Sequence, residues 1–242
     1  MSRFSRFSRF SGFSGFSRFS GFSRFSRFGG AAARLVLRAA VGLVAASLVL
    51  SLAAQGGAPA AAVAVVFETE LGNITMAVDV AHAPITGANF LKYVDGKFYD
   101  GGMINRSVRP DNTVRHDIEI QVIQFQTNPA RRRDEYPPIP LERTNVTGLK
   151  NVDGALSMAR SGPDTATGSF SIVIGDQPSL DFGGMRNPDG QGFAVFGRVV
   201  AGMDVVKKIQ ASPTSQTGRG RGMSYGTESL DPPIRILRAY RK

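Results

Sequence analysis

The amino-acid sequence predicts a mainly β domain over residues 63–242, either a closed barrel or a sandwich, with two short helices. Two observations support this prediction. Short runs of β-branched and aromatic residues recur along this part of the chain, separated by Gly, Pro, Asn and Asp. Apolar residues at helical spacing occur in two places among these runs. A domain of about 180 residues is long enough to bury one hydrophobic core.

A β-hairpin and a helix are predicted at the start of the domain. Residues 63–69 and 74–78 form two apolar runs, and the sequence around Gly72 between them is typical of a turn. The first helix begins near Pro84, because the first helical turn tolerates proline. Apolar residues at helical spacing follow, and Gly96 marks the end of the helix.

The rest of the domain is predicted to be mostly strands. Five further runs have strand character, at residues 103–108, 118–125, 155–159, 170–174 and 193–200. Residues 203–209 form the second helix, because Met203, Val206 and Ile209 fall on one side at helical spacing. The last strand is predicted at residues 234–240.

Positive charge is concentrated at the N terminus. The chain of 242 residues has a net charge of +10, but eight of its arginines lie at or before Arg38, and the first acidic residue is Glu68. Subtracting these eight from +10 leaves +2 for the remainder, so we predict no nucleic-acid partner. The absence of cysteine excludes a disulfide framework and a thiol nucleophile. With only two histidines, the sequence offers little for a histidine-based metal site or a histidine general base.

Two segments precede the domain. Residues 1–30 are of low complexity, with nine copies of Ser-Arg-Phe or Ser-Gly-Phe, and this pattern predicts disorder. It is either a basic arm for anionic lipid or nucleic acid, or a spurious extension from a misplaced start. Residues 31–62 contain two arginines, a 16-residue uncharged run and the small residues around Pro59. This pattern predicts a cleaved signal peptide or an uncleaved membrane anchor, and hence a periplasmic or extracellular domain.

Residues 98–102 with Arg106, residues 154–172 and residues 192–206 form three motifs, and these resemble motifs of the cyclophilins, in particular bacterial exported members. Residues 154–172 resemble the central signature of the family, and residues 192–206 resemble the segment near its C-terminal end. Residues 98–102, followed by Arg106, resemble the segment that carries the catalytic arginine. The resemblance implies an eight-stranded antiparallel closed β-barrel capped by two α-helices. It also implies a monomeric peptidyl-prolyl cis-trans isomerase without a cofactor, which acts on proline-containing polypeptides of exported proteins.

The resemblance assigns site residues by position. Arg106 and Gln124 align with the catalytic arginine and its supporting glutamine. Seven further residues align with substrate-binding positions: Val122, Ala159, Arg160, Ser169, Ser171, Leu180 and Phe193. An arginine suits this reaction because its guanidinium is rigid and always charged, so it can stabilise a twisted prolyl amide without forming a covalent bond.

The sequence also departs from the family pattern within the expected site. Ser171 replaces the usual phenylalanine of the pocket floor, and Ser169 replaces a glutamine. Phe125 and Gln126 stand where two glycines are usual, and a phenylalanine there is expected to crowd the substrate. These changes predict weaker catalysis and poor binding of cyclosporin-like ligands. An alternative is an inactive binding module or chaperone that retains the barrel and holds proline-containing segments.

Overall fold

Eight antiparallel strands close into a barrel in residues 62–215 and 225–242, the parts of the chain that this computed structural model describes. The strands are β1 Val63–Thr69, β2 Gly72–Val78, β3 Met103–Val108, β4 Val122–Gln126, β5 Ala155–Met158, β6 Phe170–Val173, β7 Val195–Ala201 and β8 Ser229–Arg241. Their order around the barrel is β1-β2-β7-β5-β6-β4-β3-β8, and β8 pairs with β1 to close it. The predicted eight-stranded closed barrel is therefore confirmed.

Three α-helices accompany the barrel within the described residues: α1 Pro84–Asp95, α2 Thr144–Thr147 and α3 Met203–Gln210. Helices α1 and α3 correspond to the two predicted helices. The one-turn helix α2 was not predicted, and it ends at Gly148, whose positive φ of 75° suits a glycine. No helix in the described ranges has the length and apolar content needed to cross a membrane. Residues 1–61, and with them the low-complexity and export predictions, lie outside the described residues.

The hairpin and α1 form for local reasons. In β2, Ile74, Met76 and Val78 alternate with less buried residues, so one face of the strand enters the core. Pro84 occupies the first turn of α1, as predicted. Both carboxylate oxygens of Glu142 accept hydrogen bonds from backbone N–H groups of this turn, at 3.0 and 2.7 Å. The carboxylate thus satisfies donors that have no partner within the helix.

Aromatic side chains fill the interior of the barrel. Phe67, Phe90 and Phe170 are fully buried there, and their rings contact one another. Phe125 belongs to the same cluster, because its ring stacks on that of Phe170 with centroids 4.6 Å apart. The expectation that Phe125 would crowd the substrate is therefore wrong, since its side chain faces the core rather than the outer surface of the sheet.

Two strand starts differ from the prediction by more than two residues. Strand β4 begins at Val122 rather than at residue 118. The residues before it belong to a long loop after β3, in which Ile120 packs against the outer face of the sheet instead of continuing the strand. Strand β8 begins at Ser229 rather than at residue 234, because a register shift opposite β3 accommodates Pro232 and Pro233.

Candidate active site

A β-bulge in β3 turns Arg106 to the outside of the barrel. The pairing of β3 shifts register between Ile104 and Arg106, both against β4 and against β8. In a regular strand these two residues would face the same side, and Ile104 is buried in the core. The extra residue, Asn105, therefore redirects the Arg106 side chain into the surface cleft.

A row of polar residues crosses four strands beside Arg106. Arg106 on β3 pairs with Gln124 on β4, Gln124 pairs with Ser171 on β6, and Ser171 pairs with Ser157 on β5. Neighbouring residues in a cross-strand row project from the same face of a sheet. The row therefore forms the polar part of the cleft floor. Three of its four residues were predicted for the site: Arg106, Gln124 and Ser171.

An apolar wall lies next to this row. Val122 and Leu180 are buried in a small hydrophobic cluster on the outer face of the barrel, and Phe193 packs against it. Ile120, which the sequence did not identify as a site residue, belongs to the same cluster and also lines the cleft. The wall therefore offers a surface on which a small apolar ring can be buried.

The cleft has a volume of about 630 Å³. All nine residues that the sequence predicted for the site line it: Arg106, Val122, Gln124, Ala159, Arg160, Ser169, Ser171, Leu180 and Phe193. The fold thus brings together residues that are spread over almost 90 positions of the sequence.

Three side chains hold the guanidinium of Arg106. Glu228 accepts hydrogen bonds from Nε at 2.8 Å and from a terminal nitrogen at 2.6 Å. The other terminal nitrogen donates to the side-chain oxygen of Gln124 at 3.1 Å. The ring of Tyr225 lies against the guanidinium, with 4.8 Å between the Cζ atom and the ring centroid. Such a fixed arrangement orients a charge with little freedom to reorganise.

Glu228 is the part of the site that sequence analysis missed. Its side chain is only 1% exposed, and its second carboxylate oxygen accepts hydrogen bonds from the Thr113 hydroxyl and the Val114 backbone N–H. It therefore ties Arg106 to the long loop after β3. Nothing in the sequence marks this carboxylate, because it lies 122 positions from Arg106 and is brought near it only by the start of β8.

Tyr225 also connects the polar residues of the cleft. Its hydroxyl lies 3.5 Å from the amide nitrogen of Gln124 and 3.4 Å from that of Gln126, and both amides donate to it. Burial raises the pKa of Tyr225, so the hydroxyl stays neutral over the physiological range. The tyrosine was not predicted as a site residue either.

The sequence of the chain resembles those of known proteins. The family model for "cyclophilin type peptidyl-prolyl cis-trans isomerase/CLD" matches residues 64–240. The chain belongs to this family. A peptidyl-prolyl cis-trans isomerase of Acinetobacter baylyi is 37% identical over 173 residues, which are 70% of this chain and 80% of that protein. The peptidyl-prolyl cis-trans isomerase A of Dickeya dadantii is 37% identical over 179 residues, covering 73% of this chain and 87% of that protein.

Solved cyclophilin structures share the fold. A cyclophilin-type isomerase of Cryptosporidium parvum, crystallised in the presence of the dipeptide Ala-Pro, superposes with a TM-score of 0.57. The match covers 74% of this chain and 98% of that one, at 16% sequence identity. At this identity the similarity supports the barrel architecture alone.

The replaced positions of this cyclophilin have partners of their own. Gln126, which stands in place of a glycine, accepts a hydrogen bond from the Ser169 hydroxyl at 2.6 Å through its side-chain oxygen. Both residues line the cleft, and Gln126 also reaches Tyr225. The substitutions at residues 126 and 169 therefore form one connected polar surface next to Gln124.

Arg160 braces the rim of the cyclophilin cleft. Its guanidinium donates to both carboxylate oxygens of Asp189, at 2.6 and 2.9 Å, and to the backbone oxygen of Gly192. Hydrogen bonds from Arg160 lower the pKa of Asp189 to about 2, so the pair is ionised at neutral pH. With these partners, Arg160 fixes the loop after Leu180. Its Cζ atom also lies over the ring of Phe193, 5.0 Å from the ring centroid.

Across residues 62–215 and 225–242, no three His, Asp or Glu side chains lie close enough together to hold a metal ion. What the cleft offers is the oriented guanidinium of Arg106, two further arginines in the lining, several neutral hydrogen-bonding groups and an apolar wall.

Proposed function

We propose that this isomerase twists the X-Pro peptide bond by placing the Arg106 guanidinium against the prolyl nitrogen. The peptide bond has partial double-bond character and a rotation barrier of about 18–20 kcal/mol. A twisted amide loses this conjugation, so its nitrogen regains a lone pair that a hydrogen-bond donor can stabilise. Because the planar ground state lacks that lone pair, the interaction selectively lowers the energy of the transition state.

The hydrogen bonds of Arg106 support this role. A guanidinium has five N–H donors, of which Glu228 and Gln124 engage three in the structure. One N–H on each terminal nitrogen remains without a partner among the described residues, in a side chain that is 19% exposed and lines the cleft. The arrangement therefore leaves donors available to a substrate while the remainder of the group is held in place.

The apolar wall supports binding of the proline ring. Val122, Ile120 and Leu180 are each at most 5% exposed, and Phe193 borders them at the surface of the cleft. Ser171 lies in the polar row beside this wall, where a phenylalanine would bury more of the ring. At about 25 cal/mol per Å² of apolar area, the loss is on the order of 1–3 kcal/mol of binding free energy. We therefore expect weak substrate binding together with an intact catalytic arginine.

The substrate class follows from export. The predicted signal or anchor at residues 31–62 supports a location in the periplasm or outside the cell, where exported proteins fold and where X-Pro isomerisation takes tens to hundreds of seconds without a catalyst. We propose that proline-containing segments of such proteins are the substrates. Mass spectrometry of the mature N terminus in fractionated cells tests this: recovery of the intact chain in the cytoplasm would contradict it.

A second candidate function is binding without catalysis. The observation that favours it is Ser171, because a weakened pocket fits a protein that holds proline-containing segments and releases them slowly. Arg106 oriented toward an open cleft favours catalysis instead, and this is the observation on which the proposed mechanism depends.

One experiment separates the two candidates. Exchange between cis and trans Ala-Pro in a short peptide is measured by NMR for the wild type, for Arg106→Ala and for Arg238→Ala. Arg238 is a matched control, since it is 60% exposed on β8 and pairs with Glu68. We expect Arg106→Ala to lose about 100-fold or more in rate, as when one donor of an oxyanion hole is removed. Peptide binding with equal exchange rates in all three proteins would support the binding module.

A further inference from the structure

Three arginines line the cleft, and only two of them have a carboxylate partner. Arg106 is paired with Glu228, and Arg160 is paired with Asp189. Arg186 is the third, and no carboxylate of the described residues lies within 4.0 Å of its guanidinium. The undescribed residues 216–224 contain no Asp or Glu. The cleft lining itself has no acidic residue, so Arg186 gives it a net positive charge.

Arg186 is also largely buried. It is 9% exposed, and its one side-chain hydrogen bond runs from a terminal nitrogen to the backbone oxygen of Ile118, at 2.6 Å. Burial, reinforced by the nearby charge of Arg106, lowers the pKa of Arg186, although the group remains protonated at neutral pH. Buried charges in proteins are normally paired, because removing a lone ion from water is costly. An unpaired one that lines a substrate cleft is therefore a site at which a ligand can supply the missing charge.

The backbone around Arg186 is fixed in advance. Its N–H donates to the backbone oxygen of Ser179, and its carbonyl oxygen accepts a hydrogen bond from Arg115 at 2.6 Å. The next residue, Asn187, donates to the backbone oxygen of Ser161 across the cleft rim. The guanidinium is thus held between two loops before a ligand arrives, which reduces the entropy lost on binding.

From these observations we propose that Arg186 forms a carboxylate-binding subsite of the cleft and gives the isomerase a preference for substrates with an acidic group close to the proline. The inference rests on the proposed function, because it places the substrate in the same cleft as Arg106. The carboxylate can belong to an Asp or Glu side chain of the bound segment or to a chain terminus just after the proline. A guanidinium recognises either one through paired N–H donors.

Matched peptides test the subsite. Blocked peptides with an Ala-Pro core carry either Asp or its uncharged isostere Asn, placed before or after the core, and another peptide ends in a free carboxylate after the proline. For the wild type we expect kcat/KM to be about tenfold higher for Asp than for Asn at the favoured position, a ratio that corresponds to about 1.4 kcal/mol. If only the peptide with the free terminus shows the preference, the carboxylate of a chain end is the ligand.

Two variants of Arg186 distinguish an effect of its positive charge from an effect of its role in holding the loops together. Arg186→Gln should reduce the Asp/Asn ratio to less than twofold, whereas Arg186→Lys should keep most of it, since lysine retains the charge. A purely structural role in bridging the two loops would instead slow both peptides alike and leave the ratio unchanged. Arg238→Gln serves as the control for a lost surface charge and should not alter the ratio. A wild-type ratio near one, or a ratio that persists in Arg186→Gln, would overturn the proposal.

The reference peptide keeps this test independent of the proposed function. If the wild type isomerises the Asn peptides, the catalytic proposal stands and the Asp/Asn ratio alone decides the fate of the subsite. If the wild type isomerises no peptide, the catalytic proposal fails, and affinities of the same peptide pairs, measured by calorimetry, decide whether Arg186 selects a carboxylate.

Discussion

The contact between Glu228 and Arg106 gives the sharpest test of how the catalytic group is positioned. Four hydrogen bonds converge on this carboxylate, two from Arg106 at 2.8 and 2.6 Å and two from Thr113 and Val114 at 3.2 and 3.0 Å. The change Glu228→Gln keeps the shape of the side chain and removes its charge. The substitution leaves Arg106 without its ionic partner. It also replaces one acceptor oxygen by an NH₂ group, which cannot accept a hydrogen bond from the donors around it.

The magnitude follows from burial. Removing one partner of a fully buried ion pair costs about 3–5 kcal/mol of folding free energy. Glu228 is 1% exposed, but the Arg106 side chain is 19% exposed, so water can compensate part of the loss on that side. We therefore expect Glu228→Gln to lower the free energy of unfolding by about 2–3 kcal/mol, and Glu228→Ala to lower it more.

The kinetic effect should fall on kcat rather than on KM. Glu228 lies behind Arg106 and does not line the cleft, so ground-state binding of the peptide should change little. In Glu228→Gln a neutral amide with one acceptor oxygen replaces the carboxylate that holds the guanidinium, and we expect kcat to fall about tenfold or more because the donor no longer stays aligned with the prolyl nitrogen. In the proposed mechanism Arg106 acts on the substrate, and Glu228 acts through Arg106 as a positioning residue.

Urea unfolding and NMR exchange kinetics of the same samples provide the two measurements. Glu68→Gln is a suitable control, since Glu68 also binds an arginine through two hydrogen bonds, both of 2.7 Å. This pair joins β1 to β8 and does not line the cleft. It should leave kcat and KM unchanged. A folded Glu228→Gln protein with wild-type kcat, or with a raised KM and an unaltered kcat, would refute the positioning argument.

Three further predictions concern the cleft and its supports. Ser171→Phe should lower the KM for an Ala-Pro peptide about tenfold by adding apolar surface to the floor, and an unchanged or higher KM in steady-state kinetics would contradict this. Gly168→Ala should destabilise the fold by about 1–3 kcal/mol in urea unfolding, because its Cβ would lie 2.5 Å from the Tyr93 ring, whereas Gly162→Ala, with its nearest contact at 3.9 Å, should be neutral. The pKa of Asp189 is about 2 against an ordinary 3.8, so its contact with Arg160 stabilises the fold above about pH 4 and is lost as the pH falls through about 2. An NMR titration of the carboxyl group should show this midpoint, and Arg160→Gln should move it back toward 3.8.

The barrel itself could be predicted from the sequence to a large extent. Alternation in β2 and the turn at Gly72 depend on neighbouring residues, so local patterns were sufficient to find the hairpin. The start of β4 was predicted four residues early because Ile118 and Ile120 continue an apolar pattern. Ile120 instead packs on the outer cluster, and the Ile118 carbonyl binds Arg186, both of which are tertiary interactions.

The candidate site was predictable only where it follows family motifs. Arg106 and Gln124 were found by position, but the bulge that turns Arg106 outward is not apparent from residue types. Glu228 and Tyr225 approach the cleft from the other end of the domain, over 100 positions away, so no local pattern could reveal them. The orientation of Phe125 toward the core follows from its register against Phe170, which requires the paired strands to be known.

Closure of the β-sheet has a consequence for how a protein of this kind can handle other chains. Because β8 pairs with β1, the barrel has no free edge to which an extended polypeptide could add as another strand. A chain that contacts the barrel therefore cannot extend its sheet by backbone pairing along a strand edge. A closed sheet of this kind lacks the exposed strand edge through which β-proteins commonly aggregate.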